Sequence, residues 1–568
     1  MWHVSDPARL IKEREAIANL VTANPNIHPG DWRFDPKTLR LVWDADIHAN
    51  GKVFEMSLIY PNHFPLSPPT AIPRENSQRW SAEHQYTDGS LCLEVGGDNW
   101  QPDFTGADMV ASAARLVTLE SSDDAAPIPS RELLTLGQEI RSEAIRFYER
   151  ADANAFFKTV PIGISCAGTM KFWQNANTCI VVLNTANLGT EEWKAVQLPK
   201  VVIDISVVVP VTIIKMAEPA PEITYAFLQD YIKKSWGGST DPVLERYVLI
   251  ITETTLRLYL LDQKAERASL FGAIPYSTPS ERLDAGHAAL REKSAAIIGC
   301  GSLGSKVAAI LARSGVGKFF LIDDEVLLEE NLVRNDLDMR DIGCHKAEAV
   351  AQKLKILNPD VSVKFRRTRV GGQEATTVIE TMLDTLSKFD LIIDATANSK
   401  VFNFASAASV TGKKAMIWTE IYAGGVGGMI ARHRPGIDPD PQFMRTQIDD
   451  WCRDYGMPVE VSRENYALQT AGGPLIADDA DVTVIAGHTA RFAIDVLIGR
   501  NPSMFPNSVY MIGLAEHWIF QQPFDTMPIT LSSPVNESPP KLLSEEEIAE
   551  HRLFIGELLV KLTDESAA

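Results

Sequence analysis

The chain has 568 residues, of which 45% are hydrophobic and 23% are charged. These values are ordinary for globular proteins, so they exclude disorder, collagen and coiled coil for the chain as a whole. The 54 Lys and Arg residues stand against 74 Asp and Glu residues, which gives a formal net charge of −20. Such an acidic chain is a poor binder of nucleic acid or of an anionic membrane, because both need Lys and Arg.

The beginning of the sequence, Met1-Trp2-His3-Val4, has no basic stretch followed by an apolar run, so we predict no signal peptide. The six cysteines are scattered and form no CxxC pair. This pattern predicts neither a disulfide framework nor a zinc site, and it favours a reducing cytoplasm. At roughly one domain per 150 residues, the length predicts three or four domains.

Residues 1–155 are predicted to form an α+β domain. Helical spacing in 7–21 predicts a helix with apolar residues on one face and charged residues on the other. Residues 39–47 and 53–60 are predicted strands. Two further helices are predicted over residues 109–119 and 130–150.

Residues 156–280 are predicted to form a separate, strand-rich domain, because they are rich in Val, Ile, Thr and Tyr. The very apolar segment 201–216 is too short to span a bilayer and is interpreted as a pair of buried strands. No chemical motif occurs in this region. We interpret it as a connecting or dimerising domain.

Residues 281–568 are predicted to form an α/β domain with a parallel sheet. Short apolar strands are predicted at 294–298, 318–322 and 389–393. Ligands of such sheets bind at the carboxyl ends of the strands. Near the end of the chain, a proline-rich linker precedes Ser544-Glu545-Glu546-Glu547, which predicts the capped start of a last helix.

A glycine motif, Gly299-Cys300-Gly301-Ser302-Leu303-Gly304, lies between a predicted strand and a predicted helix. Glycines allow a tight turn and a close approach of the backbone to phosphate, and the helix N-terminus favours an anion. Asp323 follows at the end of the next strand, where a carboxylate can bind ribose hydroxyls. By itself this pattern describes a nicotinamide dehydrogenase equally well.

Four residues after the glycine motif favour a nucleoside triphosphate instead. Asn331, Arg334 and Lys346 supply amide and cationic groups that can neutralise three phosphates. Asp394 ends a further predicted strand, and an aspartate beside a triphosphate is suited to binding Mg²⁺. Taken singly, each charged residue is more commonly a solvated surface group. The order and spacing of the set make the prediction of an ATP site specific.

The runs GCGSLG, LIDDE, NLVRN, GCHKAEA and DLIIDATAN resemble the ThiF/MoeB-type fold of ubiquitin-activating enzymes over about residues 281–500. The resemblance implies adenylation of a protein's C-terminal carboxylate with ATP and Mg²⁺. It assigns the ribose to Asp323, the phosphates to Asn331, Arg334 and Lys346, and the metal to Asp394. Many members carry zinc on two CxxC pairs, which this chain lacks, so no zinc is predicted.

Cys92 lies in a polar turn, Asp88-Gly89-Ser90-Leu91-Cys92-Leu93. A free cysteine is usually a small core residue, but polar neighbours suit a partly exposed nucleophile. With Tyr60-Pro61, Pro68-Pro69, Trp100 and Pro102, this turn resembles the ubiquitin-conjugating fold over about residues 5–150. The resemblance implies that Cys92 carries a thioester.

The usual His-Pro-Asn of that family is replaced by His84-Gln85-Tyr86. The donor to the oxyanion therefore stays open among Tyr86, His84 and backbone amides. Asp124 falls where the family places an acid that orients the attacking lysine. A helix-capping role for Asp124 is equally compatible with the sequence.

Enzymes that pass an acyl group to a conjugating cysteine usually form a thioester of their own first. Cys452 is a candidate, although its acidic neighbours would raise the pKa of its thiol. Residues 470–482 resemble the segment that bears this thiol, with Ala471 at the thiol position. We hypothesise that Ala471 replaces a cysteine there, as a change that traps a complex. Cys300 and Cys344 are interpreted as packing residues.

The order of the domains resembles the fused ubiquitin-conjugating and ubiquitin-activating-like enzymes of bacterial cyclic-oligonucleotide antiphage systems (CBASS). That resemblance implies a homodimer formed through the activating domain. It also implies conjugation of the C-terminus of a cyclic-nucleotide synthase (CD-NTase) to lysines of target proteins. Two alternatives stay open: an adenylating sulfur-carrier enzyme, and a scaffold with an inactive conjugating domain.

Overall fold

The computed structural model describes most of the chain as two compact units, Met1–Ser142 and Glu143–Ala568. Each unit is considered by itself below. The description leaves out residues 76–77, 82–83, 87, 123–134, 189–190, 196–199, 219–222, 238–240, 263, 265, 276–282, 372–375, 457–466, 471–472, 533–543 and 566–568.

The first unit is built on a four-stranded antiparallel sheet in the order β1-β2-β3-β4. Its elements are α1 (Trp2–Ser5), α2 (Pro7–Ala23), β1 (Ile27–Phe34), β2 (Leu41–Ala49), β3 (Lys52–Ile59), β4 (Thr70–Pro73), α3 (Gly106–Glu120) and α4 (Leu136–Glu139). Alternate residues of β2, among them Trp43, Ala45 and Ile47, are buried in the core. The two predicted strands and the helices predicted over 7–21 and 109–119 are confirmed.

The helix predicted over residues 130–150 is only partly confirmed in the part that the structure describes: Leu136–Glu139 are helical, but Ile145–Tyr148 are not. Residues Ile145–Tyr148 form a strand, β5, which belongs to the second unit and pairs in parallel with residues 179–181 of the same sheet. Ile145 and Arg146 are half-buried and Phe147 is buried in the core beneath this sheet, so tertiary pairing outweighs local helix propensity.

The second unit contains a nine-stranded mixed sheet that packs around α5. Its further elements are α5 (Ala151–Thr159), β6 (Ser165–Asn175), β7 (Thr178–Leu188), β8 (Glu191–Lys194), α6 (Lys200–Asp204), β9 (Val207–Lys215), α7 (Tyr225–Ser235), β10 (Tyr247–Ile251), β11 (Leu256–Asp262), β12 (Arg267–Leu270) and β13 (Gly272–Ile274). The strands follow the order β12-β11-β10-β9-β6-β7-β5-β13, with β8 beside β7. Because β12 and β13 are consecutive along the chain, the sheet curves until its two ends are neighbours.

The predicted strand pair over 201–216 is half wrong. Residues 200–204 are helical, and only β9 is a strand. Its first residues, Val207 and Val208, are exposed, whereas Val211–Lys215 are buried. The apolar run therefore supplies one buried strand end, and Asp204 ends the helical segment before it.

The second unit also contains an eight-stranded sheet in the order β16-β15-β14-β17-β18-β19-β22-β23. Strands β14 to β18 are parallel, and β19, β22 and β23 are antiparallel. The elements are β14 (Ser294–Ile298), α8 (Ser302–Arg313), β15 (Lys318–Ile322), α9 (Lys346–Leu357), β16 (Ser362–Arg366), α10 (Thr376–Leu386), β17 (Leu391–Asp394), α11 (Ser399–Gly412), β18 (Ala415–Tyr422), β19 (Gly427–His433), α12 (Pro441–Asp454), β20 (Ala467–Thr470), β21 (Gly473–Ile476), α13 (Asp479–Ile498), β22 (Val509–Gly513), β23 (Thr526–Pro528) and α14 (Glu545–Glu565).

Two apolar cores cover the two faces of this sheet. Ile297 and Ile393 face the core with residues of α8, α9 and α13, whereas Ile298 and Ile392 face the core with residues of α10, α11 and α12. The three predicted strands are present within two residues of their expected bounds. Helices on both faces of a parallel sheet confirm the predicted α/β architecture.

The predicted capping box of the last helix is present. Ser544 N donates to Glu547 Oε2 at 2.8 Å, and Glu547 N donates to Ser544 Oγ at 3.2 Å. The proline-rich linker at 534–540 lies outside the described residues. Within the described part of the chain, no helix is both long enough and apolar enough to cross a bilayer.

Candidate functional site

Three glycines shape the loop between β14 and α8. Gly299 has a φ of +90°, which favours glycine. A Cβ at Gly304 would lie 1.9 Å from the carbonyl oxygen of Gly299, so α8 approaches the strand end too closely for a side chain. A Cβ at Gly301 would meet nothing within 4 Å. The first and last glycines thus set the turn, and Gly301 leaves open space at the helix N-terminus for a ligand.

The parallel register brings two aspartates to opposite sides of this loop. Ile298, the last residue of β14, pairs with Ile322 on one neighbouring strand and with Asp394 on the other. Asp323 directly follows Ile322. Gly299 N donates to the Ile322 carbonyl at 2.9 Å, which fixes the loop against the end of β15. The sheet edge therefore collects the predicted ribose and metal carboxylates around the glycine loop.

Asp323 is held by backbone amides of the loop and of its own segment. Its Oδ2 accepts a hydrogen bond from Cys300 N at 2.6 Å, and its Oδ1 accepts one from Glu325 N at 2.8 Å. Burial raises the pKa of Asp323, although these two bonds and the charge of Lys346 act to lower it. The carboxylate is fixed in place before any ligand binds.

Lys346 is the first residue of α9, and its side chain is buried. Its Nζ lies 2.5 Å from Glu325 Oε2. The positive charge of Lys346 acts on both Asp323 and the Cys300 thiol, which places Lys346 at the glycine loop. This arrangement places a buried cation at the glycine loop, where the sequence predicts a phosphate ligand.

Asn331 and Arg334 lie in the segment that follows β15. Asn331 Oδ1 accepts a hydrogen bond from Leu328 N at 3.0 Å, so its side chain caps a short 3₁₀ turn. Arg334 donates from its guanidinium to the Ala477 carbonyl at 3.2 Å. Both side chains therefore have structural contacts in addition to the phosphate roles predicted for them.

Asn335, which was not among the residues predicted for the site, is buried and contacts the glycine loop. Its Nδ2 donates to the Cys300 carbonyl at 3.2 Å, and its Oδ1 accepts from Leu337 N at 3.1 Å. The next residue, Asp336, donates its N–H to Ser305 Oγ on α8 at 3.1 Å. Asn335 is the second asparagine of the NLVRN run, so its place in that motif was the available sequence signal. A buried amide beside the glycine loop needs hydrogen-bond partners, one of which the loop supplies.

Asp394 ends β17 and is almost completely buried. Its Oδ1 accepts hydrogen bonds from Thr396 N at 3.0 Å and from Thr396 Oγ1 at 2.7 Å. Burial, with a contribution from Glu420, raises the pKa of Asp394 to about 6, while Arg445 acts to lower it. At neutral pH the carboxylate is ionised in a site that disfavours its charge.

These features of Asp394 fit a Mg²⁺ ligand, because Mg²⁺ is commonly held by one or two carboxylates together with substrate phosphates and water. A bound cation would neutralise the buried charge. In the part of the chain that the structure describes, no group of three or more His, Cys, Asp or Glu residues is arranged to hold a metal.

Cys92 lies in a tight turn of the first unit and is partly exposed. Its backbone N donates to the His84 carbonyl at 2.8 Å, and Tyr86 N donates to the Ser90 carbonyl at 2.8 Å. Asp88 Oδ1 accepts from Ser90 N at 3.0 Å and from Ser90 Oγ at 2.6 Å, and these bonds lower the pKa of Asp88. The turn thus brings His84, Tyr86 and Cys92 into one small hydrogen-bonded loop.

The segment after Cys92 is held by long-range hydrogen bonds. Trp100 Nε1 donates to the Pro65 carbonyl at 2.7 Å, which joins the predicted tryptophan to the proline stretch. Arg9 donates to the Pro102 carbonyl at 2.6 Å and to the Phe104 carbonyl. The loop that carries the thiol is therefore anchored to α2 as well as to the sheet.

Glu13 continues this buried network. It lies 3.0 Å from Arg9 and accepts hydrogen bonds from Gly106 N at 2.7 Å and from Tyr60 Oη at 3.0 Å. Burial raises the pKa of Glu13. The predicted separation of α2 into a buried apolar face and an exposed charged face is therefore wrong at three positions: Arg9 and Glu13 are buried, whereas Ile11 is exposed. The Arg9–Glu13 ion pair lies in the core because it holds the loop that follows Cys92. The spacing of apolar residues along α2 does not predict such a buried pair.

The cysteines of the second unit differ sharply in environment. Cys452 is buried on α12, and burial, followed by Asp449 and Glu420, raises the pKa of its thiol to about 11. Cys300 is fully buried, as expected. Cys344, interpreted as a packing residue, is exposed instead, because the turn 341–345 presents it outward. Burial and a high pKa both oppose a nucleophilic role for Cys452.

Two predicted site residues, Ala471 and Asp124, lie outside the described residues. The neighbours of Ala471 are described: Thr470 on β20 pairs with Gly473 on β21. One residue beyond β21, the Ala477 carbonyl accepts the hydrogen bond from Arg334. The chain near the predicted thiol position is therefore joined to the predicted phosphate-binding segment.

Residues 280–515 match the model of the ThiF family. The chain therefore carries a ThiF-family domain, which confirms the prediction for this region. It is 29% identical over 138 residues to a probable adenylyltransferase/sulfurtransferase, MoeZ, of Mycobacterium tuberculosis, covering 24% of this chain and 33% of MoeZ. It is 33% identical over 120 residues to the ATP-dependent ubiquitin transferase-like protein Cap2 of Escherichia coli, covering 20% of this chain and 19% of Cap2.

The chain thus spans a third or less of the length of these two relatives. Among solved structures, it is 18% identical to Escherichia coli MccB with ATP, at a TM-score of 0.34, covering 44% of this chain and 68% of MccB. That TM-score is too low for a comparison of the folds.

Proposed function

We propose that this protein activates the C-terminal carboxylate of a partner protein with ATP, passes the acyl group to Cys92, and conjugates it to an amine. The observation that carries the proposal is the sheet edge where the glycine loop, Asp323, Lys346 and Asp394 meet. That edge lies within the ThiF-family domain.

In the first step, an oxygen of the partner's carboxylate attacks the α-phosphate of ATP. An acyl-adenylate forms and pyrophosphate leaves. Asp323 accepts hydrogen bonds from the ribose hydroxyls, and Lys346, Arg334 and Asn331 bind the phosphates. Asp394 would hold Mg²⁺, which would supply positive charge to neutralise the phosphate oxygens.

In the following steps, a thiolate attacks the acyl carbonyl and AMP leaves. We propose that this first thiol belongs to position 471, where Ala471 replaces a cysteine. Cys92 then takes the acyl group by thioester exchange, and a lysine amine displaces the Cys92 thiolate to form an amide. The acyl-adenylate is a mixed anhydride and the later intermediates are thioesters, so the acyl group stays activated at the expense of the phosphoanhydride of ATP.

Support for the conjugating role comes from the surroundings of Cys92. The thiol is partly exposed, lies in a hydrogen-bonded turn, and is followed by a loop that Arg9 and Trp100 anchor. We assign residues 1–155 to this conjugating domain, 156–280 to a middle domain and 281–568 to the adenylating domain. Tyr86 is the side chain that we assign as oxyanion donor, and Asp124 would orient the attacking amine.

The partner that we propose is a cyclic-nucleotide synthase of a bacterial antiphage system. We propose further that this chain forms a homodimer and that the reaction takes place in the cytoplasm. Similarity to Cap2 supports this choice. The similarity to MoeZ favours a second candidate, in which the adenylated C-terminus is converted to a thiocarboxylate. A third candidate, an inactive scaffold, follows from the replacement of the usual asparagine before Cys92.

The test uses three forms of the full chain, each incubated with ATP, Mg²⁺ and the candidate synthase. They are the chain as it stands, Ala471→Cys, and Ala471→Cys with Cys92→Ala. Non-reducing electrophoresis should show thiol-sensitive adducts of Ala471→Cys at both thiols, and only the adduct at position 471 when Cys92 is absent. Pyrophosphate release without any thioester would support the sulfur-carrier candidate, and no pyrophosphate release would contradict adenylation.

A further inference from the structure

Glu325 joins the two groups that we assign to opposite ends of ATP. Its backbone N donates to Asp323 Oδ1 at 2.8 Å. Its backbone carbonyl accepts a hydrogen bond from Lys346 N at 2.9 Å, and its Oε2 lies 2.5 Å from Lys346 Nζ. One residue therefore contacts both the proposed ribose ligand and the proposed phosphate ligand.

The two partners of this ion pair differ in their freedom to move. The Lys346 side chain is only 6% exposed, whereas the Glu325 side chain is 67% exposed. Exposed carboxylates leave an ion pair at small cost, because water solvates them.

We propose that Glu325 is an exchangeable counter-ion of Lys346. It neutralises the buried lysine while the phosphate site is empty, gives way to the phosphates of ATP, and returns when pyrophosphate departs. This inference rests on the proposed function, since it takes the anion at Lys346 to be a phosphate group.

The exchange has a defined energetic consequence. Glu325 and a phosphate compete for the same ammonium group, so Glu325 weakens the binding of every ligand that uses Lys346. It thereby speeds the release of pyrophosphate after the adenylate has formed. Adenosine has no phosphate and is held through Asp323, so its affinity does not depend on Glu325 competing for Lys346.

The test measures dissociation constants of the full chain for Mg-ATP, magnesium pyrophosphate and adenosine by calorimetry. Glu325→Gln should bind ATP and pyrophosphate about two- to fivefold more tightly, the range expected for an exposed ion pair. Its affinity for adenosine should stay unchanged. Glu325→Asp, which keeps the charge, should stay close to the unaltered chain.

The matched control is Asp324→Asn, which removes the same charge from the exposed neighbouring residue. Equal tightening by Asp324→Asn would show a general charge effect and overturn the proposal. Unchanged or weaker ATP binding by Glu325→Gln would overturn it too, since Glu325 would then only position Lys346. If the unaltered chain itself binds no ATP, the proposed function fails and this inference with it.

Discussion

Cys92 and Cys452 are both free thiols with aspartates close in sequence, yet their surroundings differ in chemistry. Asp88, before Cys92, uses its carboxylate to accept two hydrogen bonds from Ser90, and the thiol is partly exposed. Asp449, before Cys452, acts on a thiol that is buried in an apolar core.

Acids that are near a cysteine in the sequence therefore do not by themselves decide the reactivity of its thiol. Hydrogen bonds occupy the acid beside Cys92, whereas burial and two carboxylates raise the pKa of Cys452 to about 11. At neutral pH almost no thiolate forms at Cys452. These surroundings support the nucleophilic role that we propose for Cys92 and a packing role for Cys452.

The largest expected effect is that of Cys92→Ala. Measured in the Ala471→Cys background, which restores the first thiol of the proposed relay, loss of the Cys92 nucleophile should reduce conjugation at least about 10³-fold, because the remaining residues cannot form the covalent intermediate. Exchange of pyrophosphate into ATP, driven by the partner's C-terminus, should remain within twofold of the unaltered chain. Conjugation that survives in this variant would remove Cys92 from the pathway.

The next effect concerns the metal ligand. Asp394→Asn should lower pyrophosphate exchange about 10²- to 10³-fold, the range for losing one major charge-stabilising group. Raising the Mg²⁺ concentration should restore only a small part of the rate. The variant should still accept a preformed thioester at Cys92. A normal exchange rate would show that Asp394 does not support adenylation.

Asp394 also makes stability depend on pH. Its pKa is about 6 in the folded protein, against 3.8 for the ordinary group, so the folded state binds this proton more tightly. Stability from this group is present below about pH 4, falls as the pH rises to about 6, and is then lost, a change of about 3 kcal/mol.

Thermal melting in the presence of a chelator checks this sign. Relative to the unaltered chain, Asp394→Asn should gain stability between pH 4.5 and pH 7, because an amide carries no buried charge. Added Mg²⁺ should then stabilise the unaltered chain more than the variant. A constant difference between the two proteins over this pH range would contradict the raised pKa.

The meeting of the glycine loop, Asp323 and Asp394 at one sheet edge was predictable because its signal is local. Glycines, an aspartate after a strand and a lysine at a helix start occupy fixed offsets, and the parallel register brings them to one sheet edge. Asn335, Glu325 and the Arg9–Glu13 pair were missed, since their partners lie elsewhere in the fold. The exposure of Cys344 was also missed, because residues in a turn lack the regular spacing that distinguishes buried from exposed positions in helices and strands.

The smallest expected effect is that of Cys452→Ala. Removing a buried sulfur from the core should lower the free energy of unfolding by about 1 kcal/mol. In the Ala471→Cys background, the rates of adenylation and conjugation should change less than about twofold, because the Cys452 thiol has no thiolate to contribute. Labelling of the folded protein with a maleimide should modify Cys92 and the exposed Cys344 well before Cys452. Loss of the activating-domain thioester in Cys452→Ala would reverse the comparison, and would require α12 to open so that the thiol meets both water and the acyl-adenylate.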